Sequence, residues 1–283
     1  MGPVAQTWLE ARVPVRLQAQ GQALARWLKM SGAAVVWRQE GQLRAVWPAG
    51  EAGRAAAAEL ARRAGEAAQV HEFCAPDPRA AFSRPPEDPI HPGLALTPAW
   101  SGLPPTPSRL VIDPLTAFGA GDHPSTRLNL LLLSRLLAAD APPAGAWAAD
   151  VGAGTGVLAL AMALIAGLQV AAMDPDPAAA RATARNCGLN PLAGGRVHFV
   201  RATHAALAGR LPLIAANLPG PLLIHTAPHL AGCLAPGGRL VVSGFRDEFA
   251  GQAAEVFGGL GMVLQDEATQ AGWTGQAWAA SVS

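Results

Sequence analysis

Short apolar runs and longer helical segments alternate along the chain, with a different texture before and after a proline-rich stretch. In residues 1–80 the runs predict strands and helices in the order β-α-β-β-α-β. This is the order of the split ferredoxin-like plan, so we expect a small α+β ferredoxin-like domain there. In residues 108–283 strongly apolar strands alternate with helices. That pattern predicts an α/β domain in which helices cover both faces of a mostly parallel sheet.

Prolines are concentrated between these two regions. Since proline locks φ and prevents a regular helix, we interpret residues 81–107 as a linker. An extended chain packed against one domain is the alternative. The sequence thus predicts three parts: a small domain over 1–80, a proline-rich linker over 81–107 and a larger domain over 108–283.

Composition narrows the classes of protein. The residues are 51% hydrophobic and 14% charged, with a net charge of +1, so a dedicated nucleic-acid surface is not expected. The three cysteines are far apart and form no C-x-x-C pair, which fits a reducing cytoplasm better than a disulfide framework or a zinc site. The first residues lack the pattern of a signal peptide. The apolar run 156–173 is divided by Gly167, and it predicts a buried helix and strand rather than a membrane span.

The first candidate site is the glycine cluster DVGAGTG at residues 150–156. It lies between a predicted strand and a predicted helix, where glycines let the backbone turn tightly and approach a ligand. In open α/β sheets, ligands bind at the carboxyl ends of the strands. The looser dinucleotide pattern G-x-G-x-x-A fits from Gly154 to Ala159, and Asp174 could serve as its ribose-binding carboxylate. The cluster alone therefore leaves a dinucleotide ligand open.

Asp150 helps to choose the ligand. A carboxylate at this strand end would repel a pyrophosphate, whereas it suits a ligand that has positive charge and no phosphate, such as S-adenosylmethionine. The pattern D-x-G-x-G-x-G resembles the first motif of Rossmann-like methyltransferases. In that interpretation Asp174 accepts hydrogen bonds from the ribose hydroxyls. A purely structural glycine turn, with Asp174 as a helix cap, is the alternative.

A second candidate site is ANLPGPLL at residues 216–223, a relative of the D/N-P-P-Y/F motif of amino-group methyltransferases. A neutral amine must point its lone pair at the methyl carbon, and two acceptors aimed at its N–H groups would fix that direction. We assign this task to Asn217, with Leu218 and Pro219 beside it. Gly220 stands where the motif has an aromatic residue, which favours an aliphatic amine over a planar base. The segment could also be a simple turn.

The segment AFGAGDHPST, residues 117–126, precedes the glycine cluster by one predicted helix. We expect it to fold over the cofactor, with Phe118 on the methionine portion and Thr126 in contact with it. A hinge between domains is the alternative. His123, His225 and His229 are candidate general bases, although solvent can also take the proton of the amine. No third ligand accompanies the two histidines four residues apart, so no metal site is predicted.

Four motifs stand in order along the chain: AFGAGDHPST, DVGAGTGVLALA, DPDP and ANLPGPLL. Together with the tail GWTGQAWAA they cover about residues 108 to 283, and there the chain resembles the bacterial methyltransferases of large-subunit ribosomal protein eleven, the PrmA type. Three residues depart from the family pattern, namely Ala120, Ser125 and Pro219.

The resemblance implies a Rossmann-like, seven-stranded methyltransferase domain that uses S-adenosylmethionine. It further implies methylation of lysine side chains or an N-terminal α-amine of a large-subunit ribosomal protein, which the N-terminal domain presents. We expect a cytoplasmic monomer that contacts neither membranes nor nucleic acid directly. The residues assigned to the cofactor are Phe118, Thr126, Asp150, Gly152, Gly154, Gly156, Asp174 and Asn217; Asn217 is also the residue assigned to catalysis.

Other functions stay open at this point. An NAD(P)-dependent oxidoreductase would use the glycine pattern, but it gives Asp150 and the Asn217 motif no role. A methyltransferase of another protein or of a small amine would use every motif. A binding module that kept the fold without catalysis is the third alternative.

Overall fold

The computed structural model describes residues 6–14, 24, 27–28, 30–33, 35–39, 42–64, 68–75, 88–91, 93–99, 103–113, 115 and 117–281. The chain divides into two compact units, Met1–Pro85 and Pro86–Ser283.

The first unit contains a four-stranded antiparallel sheet with the order β2-β3-β1-β4. Its elements are β1 (Gln6–Pro14), β2 (Val35–Gln39), β3 (Gln42–Pro48), α1 (Glu51–Ala64) and β4 (Gln69–Ala75). Alternate residues of β1 and β3, such as Val13 and Trp47, are buried together with Leu60 of α1, as the two-residue period of a strand requires. Most residues between β1 and β2 lie outside the described residues, so the ferredoxin-like assignment stays a prediction.

A three-stranded sheet opens the second unit. It consists of β5 (Asp88–His91), β6 (Leu94–Pro98) and β7 (Arg109–Ile112), with β5 antiparallel and β7 parallel to β6. The first two strands lie within the segment that the sequence analysis interprets as a linker. Their prolines are compatible with this structure, because proline is tolerated in edge strands and at strand ends. The strands β5 and β6 therefore belong to the second unit, and the proposed limits of the linker stay a prediction.

The rest of the second unit alternates between helix and strand. Its elements are α2 (Pro124–Ala139), β8 (Trp147–Val151), α3 (Val157–Ala166), β9 (Gln169–Met173), α4 (Pro177–Leu189), α5 (Pro191–Gly194), β10 (Val197–Val200), β11 (Leu211–Asn217), α6 (Gly220–Gly232), β12 (Leu234–Arg246), α7 (Ala250–Gly259), β13 (Val263–Gln270) and β14 (Trp273–Ala279).

These strands form a seven-stranded sheet with the order β10-β9-β8-β11-β12-β14-β13. Neighbours are parallel from β10 to β12, while β14 is antiparallel to both β12 and β13. The prediction of a seven-stranded Rossmann-like domain is confirmed. After β8 the chain continues to β9 on one side, whereas β11 lies on the other side. The order therefore reverses between β8 and β11, which is where such sheets bind ligands.

The core explains the long apolar run at residues 156–173. All residues from Val157 to Ala163 are buried, since α3 packs between the sheet and its neighbouring helices. Gly167 ends the helix with a φ of +64°, and β9 follows, as predicted. Among the described helices, none is long and apolar enough to cross a membrane.

Candidate cofactor and amine site

The glycine turn, residues 152–156, connects β8 to α3 at the point where the strand order reverses. The N–H groups of Gly152 and Ala153 donate to the carbonyl of Met173 at 2.9 and 3.0 Å, which joins the turn to the end of β9. Gly152, Gly154 and Gly156 have φ values of +77°, +53° and +77°, a region that residues with side chains rarely adopt. The backbone itself therefore forms one side of the crevice where the strand order reverses, which we call the opening.

The cover segment, residues 117–123, lies directly on the glycine turn. Thr155 donates its N–H to the carbonyl of Phe118 at 2.9 Å and its hydroxyl to the carbonyl of Gly119 at 2.7 Å. A side chain on Gly154 would overlap the same Phe118 carbonyl. The two glycine-rich stretches that are far apart in sequence are thus parts of one site, and Gly154 is required by this close approach.

Asp150 lies beneath the turn rather than in the opening. It is fully buried, and its Oδ2 accepts a hydrogen bond from the N–H of Ala159 on α3 at 3.0 Å. Its Oδ1 has no hydrogen-bond partner among the described residues. Burial raises the pKa of Asp150 from 3.8 to about 7; the hydrogen bond from Ala159 opposes this rise, and the charge of Asp174 adds to it.

Asp174 follows β9 and is partly exposed beside the turn. Its Oδ2 accepts from the N–H of Gly154 at 3.0 Å, and its Oδ1 accepts from the N–H of Asp176 at 2.9 Å. Each carboxylate oxygen has room for a further donor, because it can accept two hydrogen bonds. The residue therefore combines a structural contact with the turn and a free acceptor capacity toward the opening.

Asn217 ends β11, which pairs with β8 so that Ala216 lies opposite Val151. Its Nδ2 donates to the hydroxyl of Thr126 at 3.2 Å, while its Oδ1 is buried without a partner among the described residues. A Cβ on Gly152 would lie 2.8 Å from Leu218 Cδ2. The glycine turn and the Asn217 motif are therefore in direct contact, and Thr126 connects the start of α2 to Asn217.

The start of α2 forms a small aromatic cluster with the cover segment. His123 caps the helix, because its Nδ1 accepts from the N–H of Ser125 at 3.2 Å. The imidazole lies 5.2 Å from the ring of Phe118 and 4.4 Å from that of Trp273, between centroids. The Phe118 side chain is 56% exposed, so it borders the opening.

Two aromatic residues of this region were missed by the sequence analysis. Trp273 begins β14, and its contact with His123 depends on the position of β14 in the sheet. Phe249 fills the space beside Gly220, where an added Cβ would lie 3.0 Å from its ring. The missing aromatic of the Asn217 motif is thus balanced by a phenylalanine from a distant part of the chain. Pro219 is exposed and Leu218 is buried.

The histidines of α6 do not enter this site. His229 Nε2 lies 3.0 Å from the carbonyl oxygen of Leu207, and the ring of His204 lies 6.4 Å from that of His225. Within the part of the chain that the structure describes, no three His, Cys, Asp or Glu residues are arranged to hold a metal ion.

The comparison with protein families decides what these motifs belong to. The family described as ribosomal protein L11 methyltransferase (PrmA) matches residues 88–278. The chain belongs to the ribosomal protein L11 methyltransferase family. The match begins where β5 begins, and it includes every residue of the candidate site.

Relatives in the L11 methyltransferase family have sequences that are about one third identical or more. The protein of Parasynechococcus marenigrum is 39% identical over 194 residues, which cover 66% of this chain and 65% of that protein. The protein of Geobacter sulfurreducens is 36% identical over 183 residues, covering 64% of this chain and 58% of that protein. The matched region thus spans less than two thirds of the length of these relatives.

A solved structure shows the same fold. The ribosomal protein L11 methylase from Lactobacillus delbrueckii subsp. bulgaricus superposes with a TM-score of 0.61 at 25% identity, covering 69% of this chain and 98% of that chain. Nearly all of that L11 methylase therefore corresponds to about two thirds of the present chain.

Proposed function

We propose that this chain transfers methyl groups from S-adenosylmethionine to amino groups of ribosomal protein L11, on lysine side chains, the N-terminal α-amine or both. One observation carries the proposal. The cover segment, the glycine turn, Asp174 and Asn217 meet at the reversal of strand order, and all lie within the residues that match the L11 methyltransferase family.

The residues present fit S-adenosylmethionine. Asp174 offers acceptor capacity for the ribose hydroxyls, and the turn has glycine at three positions, so that the backbone can approach the ligand closely. Asp150, beneath the turn, is fully buried and holds the start of α3 through the N–H of Ala159, so it supports the turn rather than facing the cofactor. Phe118 holds the turn through its carbonyl, and Thr126 is buried in contact with Asn217. The chemistry that the cofactor supplies when bound is a methyl group on a positively charged sulfur.

Asn217 would hold the amine. Its unpartnered Oδ1 can accept one N–H of a neutral amine. The hydrogen bond to Thr126 fixes the amide so that its oxygen, not its nitrogen, is left for the substrate. Positioning of this kind contributes a large part of the rate in such transfers.

The oxidoreductase alternative is not favoured, because the family match and the Asn217 motif have no place in it. Transfer to another protein or a small amine would use the same machinery, so the substrate needs its own test. A reducing cytoplasm, as expected from the cysteine pattern, is consistent with a ribosomal substrate. The monomeric state and the absence of direct nucleic-acid contacts remain predictions.

Two measurements test the proposal on the full chain. Calorimetric titration with S-adenosylhomocysteine is expected to show saturable binding, and NAD is expected to show none. Incubation with labelled S-adenosylmethionine and purified ribosomal proteins, followed by mass spectrometry, is expected to place methyl groups on amines of L11. Binding of NAD alone would overturn the reaction. Methylation of other proteins with L11 unmodified would overturn the substrate.

A further inference from the structure

Asn186 connects two segments that are distant in sequence. It lies on α4 with a fully buried side chain. Its Oδ1 accepts from the N–H of Asp113 at 2.8 Å, and its Nδ2 donates to the carbonyls of Asp113 at 3.1 Å and Thr155 at 2.9 Å. A single carboxamide thus holds the end of β7 and the glycine turn together.

Both ends of this bridge lead to the cover segment. Asp113 comes directly after β7, four residues before residue 117 where the cover segment begins. Thr155 holds the carbonyls of Phe118 and Gly119 with its N–H and hydroxyl. The cover segment is therefore anchored through the chain on one side and through Thr155 on the other, and Asn186 fixes both anchors.

A second residue of α4 supports the same turn. Thr183, one helical turn before Asn186, donates its hydroxyl to the carbonyl of Gly154 at 3.2 Å. Two consecutive carbonyls of the glycine turn thus point toward α4, while the N–H of Gly154 points to Asp174. Since a peptide unit is planar, fixing these carbonyls also fixes the direction of the neighbouring amides.

Asn190, the residue that directly follows α4, provides a matched comparison. Asn190 is buried like Asn186, and it bonds both backbone groups of Val111 on β7. Its Oδ1 accepts from the N–H of Val111 at 2.8 Å, and its Nδ2 donates to the carbonyl of Val111 at 2.7 Å. Its third hydrogen bond goes to the carbonyl of Asn186 and not to the glycine turn. Both asparagines therefore hold the chain at or directly after β7, but of the two only Asn186 also bonds the glycine turn.

We propose that Asn186 is a positioning residue that seats the cover segment on the glycine turn and thereby sets the affinity for the cofactor. The identity of the cofactor rests on the proposed function. The position of the cover segment on the glycine turn does not rest on the proposed function, because it depends on contacts within the chain. Asn186 touches neither substrate nor reacting atoms and acts through Thr155.

The test compares Asn186→Ala with Asn190→Ala in the full chain. Both variants lose three buried hydrogen bonds, so both are expected to unfold at lower urea concentration. In Asn186→Ala the Thr155 amide, whose proton is held by Phe118, is expected to exchange about tenfold faster, and S-adenosylhomocysteine to bind about tenfold more weakly. At saturating cofactor, kcat is expected to stay within about twofold, because bound ligand restores the seat. Asn190→Ala is expected to change none of these three quantities.

Thr155→Val keeps the test decisive if Asn186→Ala does not fold. It removes the hydroxyl that holds Gly119 and leaves the amide that holds Phe118, so cofactor binding is expected to weaken in the same direction. Where both variants fold, their effects on affinity are expected to be less than additive in the double variant. Equal amide exchange and cofactor affinity in the Asn186 and Asn190 variants would overturn the inference. Failure of the unaltered chain to bind S-adenosylhomocysteine would instead overturn the proposed function. Exchange of the Thr155 amide would still test whether Asn186 holds the cover segment on the glycine turn.

Discussion

Asn217 presents an acceptor that the described protein leaves unused. Its Oδ1 is buried without a partner, and a buried polar atom in this state costs free energy unless a ligand satisfies it. Asp150 carries the second unpartnered oxygen at the site, but at a different depth: Asn217 ends its strand at the opening, whereas Asp150 is covered by the glycine turn. We therefore expect Asn217 to affect turnover and Asp150 to affect how stability depends on pH.

Replacing Asn217 tests the amine-holding role. Asn217→Ala removes the acceptor, so turnover is expected to fall about 100-fold, the order of loss that follows when a reacting group is misplaced. Affinity for S-adenosylhomocysteine, measured by calorimetry, is expected to be largely kept. Asn217→Asp retains an acceptor oxygen and serves as the conservative control, with turnover closer to that of the unaltered chain. Unchanged turnover in Asn217→Ala would remove this residue from the mechanism.

Asp150 is expected to make stability depend on pH. Its pKa is raised from 3.8 to about 7 in the folded state, so the folded protein binds the additional proton between these pH values. Its contribution to the free energy of unfolding therefore falls as pH rises from about 4 to about 7, by at most about 4 kcal/mol, and then stays constant. Asp150→Asn does not titrate and is expected to lose this part of the slope.

Urea unfolding at pH 5 and pH 8 measures that slope. In Asp150→Asn an amide nitrogen can take the place of Oδ1, which has no partner, so this variant is also expected to lose stability equally at both pH values. The comparison therefore uses the difference in the free energy of unfolding between pH 5 and pH 8. Parallel pH profiles for Asp150→Asn and the unaltered chain would show that Asp150 stays ionised in the folded state.

At the scale of elements, the glycine turn and the cover segment form one unit. The contact between Gly154 and Phe118 leaves no room for a side chain, and the two bonds from Thr155 fix the cover segment on the turn. This conformation has a cost, because the three glycines of the turn lose more conformational entropy on folding than other residues would. Contacts within the chain require the three glycines, because an added Cβ would meet Leu218 at Gly152, Phe118 at Gly154 and Thr183 at Gly156.

Gly154→Ala is expected to lift the cover segment. The new Cβ meets the Phe118 carbonyl, and φ of +53° adds backbone strain of about 1–2 kcal/mol. Gly145→Ala is the matched control, because it has φ of +84° and no atom within 4 Å of the added Cβ. Both variants are expected to lose stability, but only Gly154→Ala is expected to bind S-adenosylhomocysteine at least about tenfold more weakly in calorimetry. Equal affinities in the two variants would contradict the contact.

The elements differ in how well the sequence predicts them. Helix α2 follows from a local pattern, because Pro124 fits the first helical turn and an apolar face follows. Strands β5 and β6 were missed, since their prolines argue against strands except at edges. Trp273 and Phe249 could not be assigned to the site, because their positions depend on strand pairings between residues distant in sequence. Local patterns predict elements and glycine turns, whereas contacts across the sheet require the fold.

At the scale of the molecule, the two units have separate cores. Residues such as Val13, Trp47 and Leu60 form the core of the first unit, and the candidate site lies wholly in the second. The family match likewise covers residues 88–278 only. That the first unit recognises the protein substrate stays a prediction, which can be tested apart from the site.

Removing the first unit tests that division. Residues 86–283 produced alone are expected to bind S-adenosylhomocysteine as the full chain does, because their core and site are complete. Methylation of L11, followed by mass spectrometry, is expected to be lost or strongly reduced. Methylation at the rate of the full chain would mean that the first unit has no role in choosing the substrate.

The strand order of the larger sheet has a consequence for synthesis. Strand β14 follows β13 in the chain, yet it lies between β12 and β13 and is the neighbour through which β13 joins the sheet. While β13 has left the ribosome and β14 has not, the growing protein carries an unpaired strand and an open sheet edge. The same strand brings Trp273 to His123 beside the cover segment. The contact between Trp273 and His123 is therefore completed only after almost the whole sheet has left the ribosome.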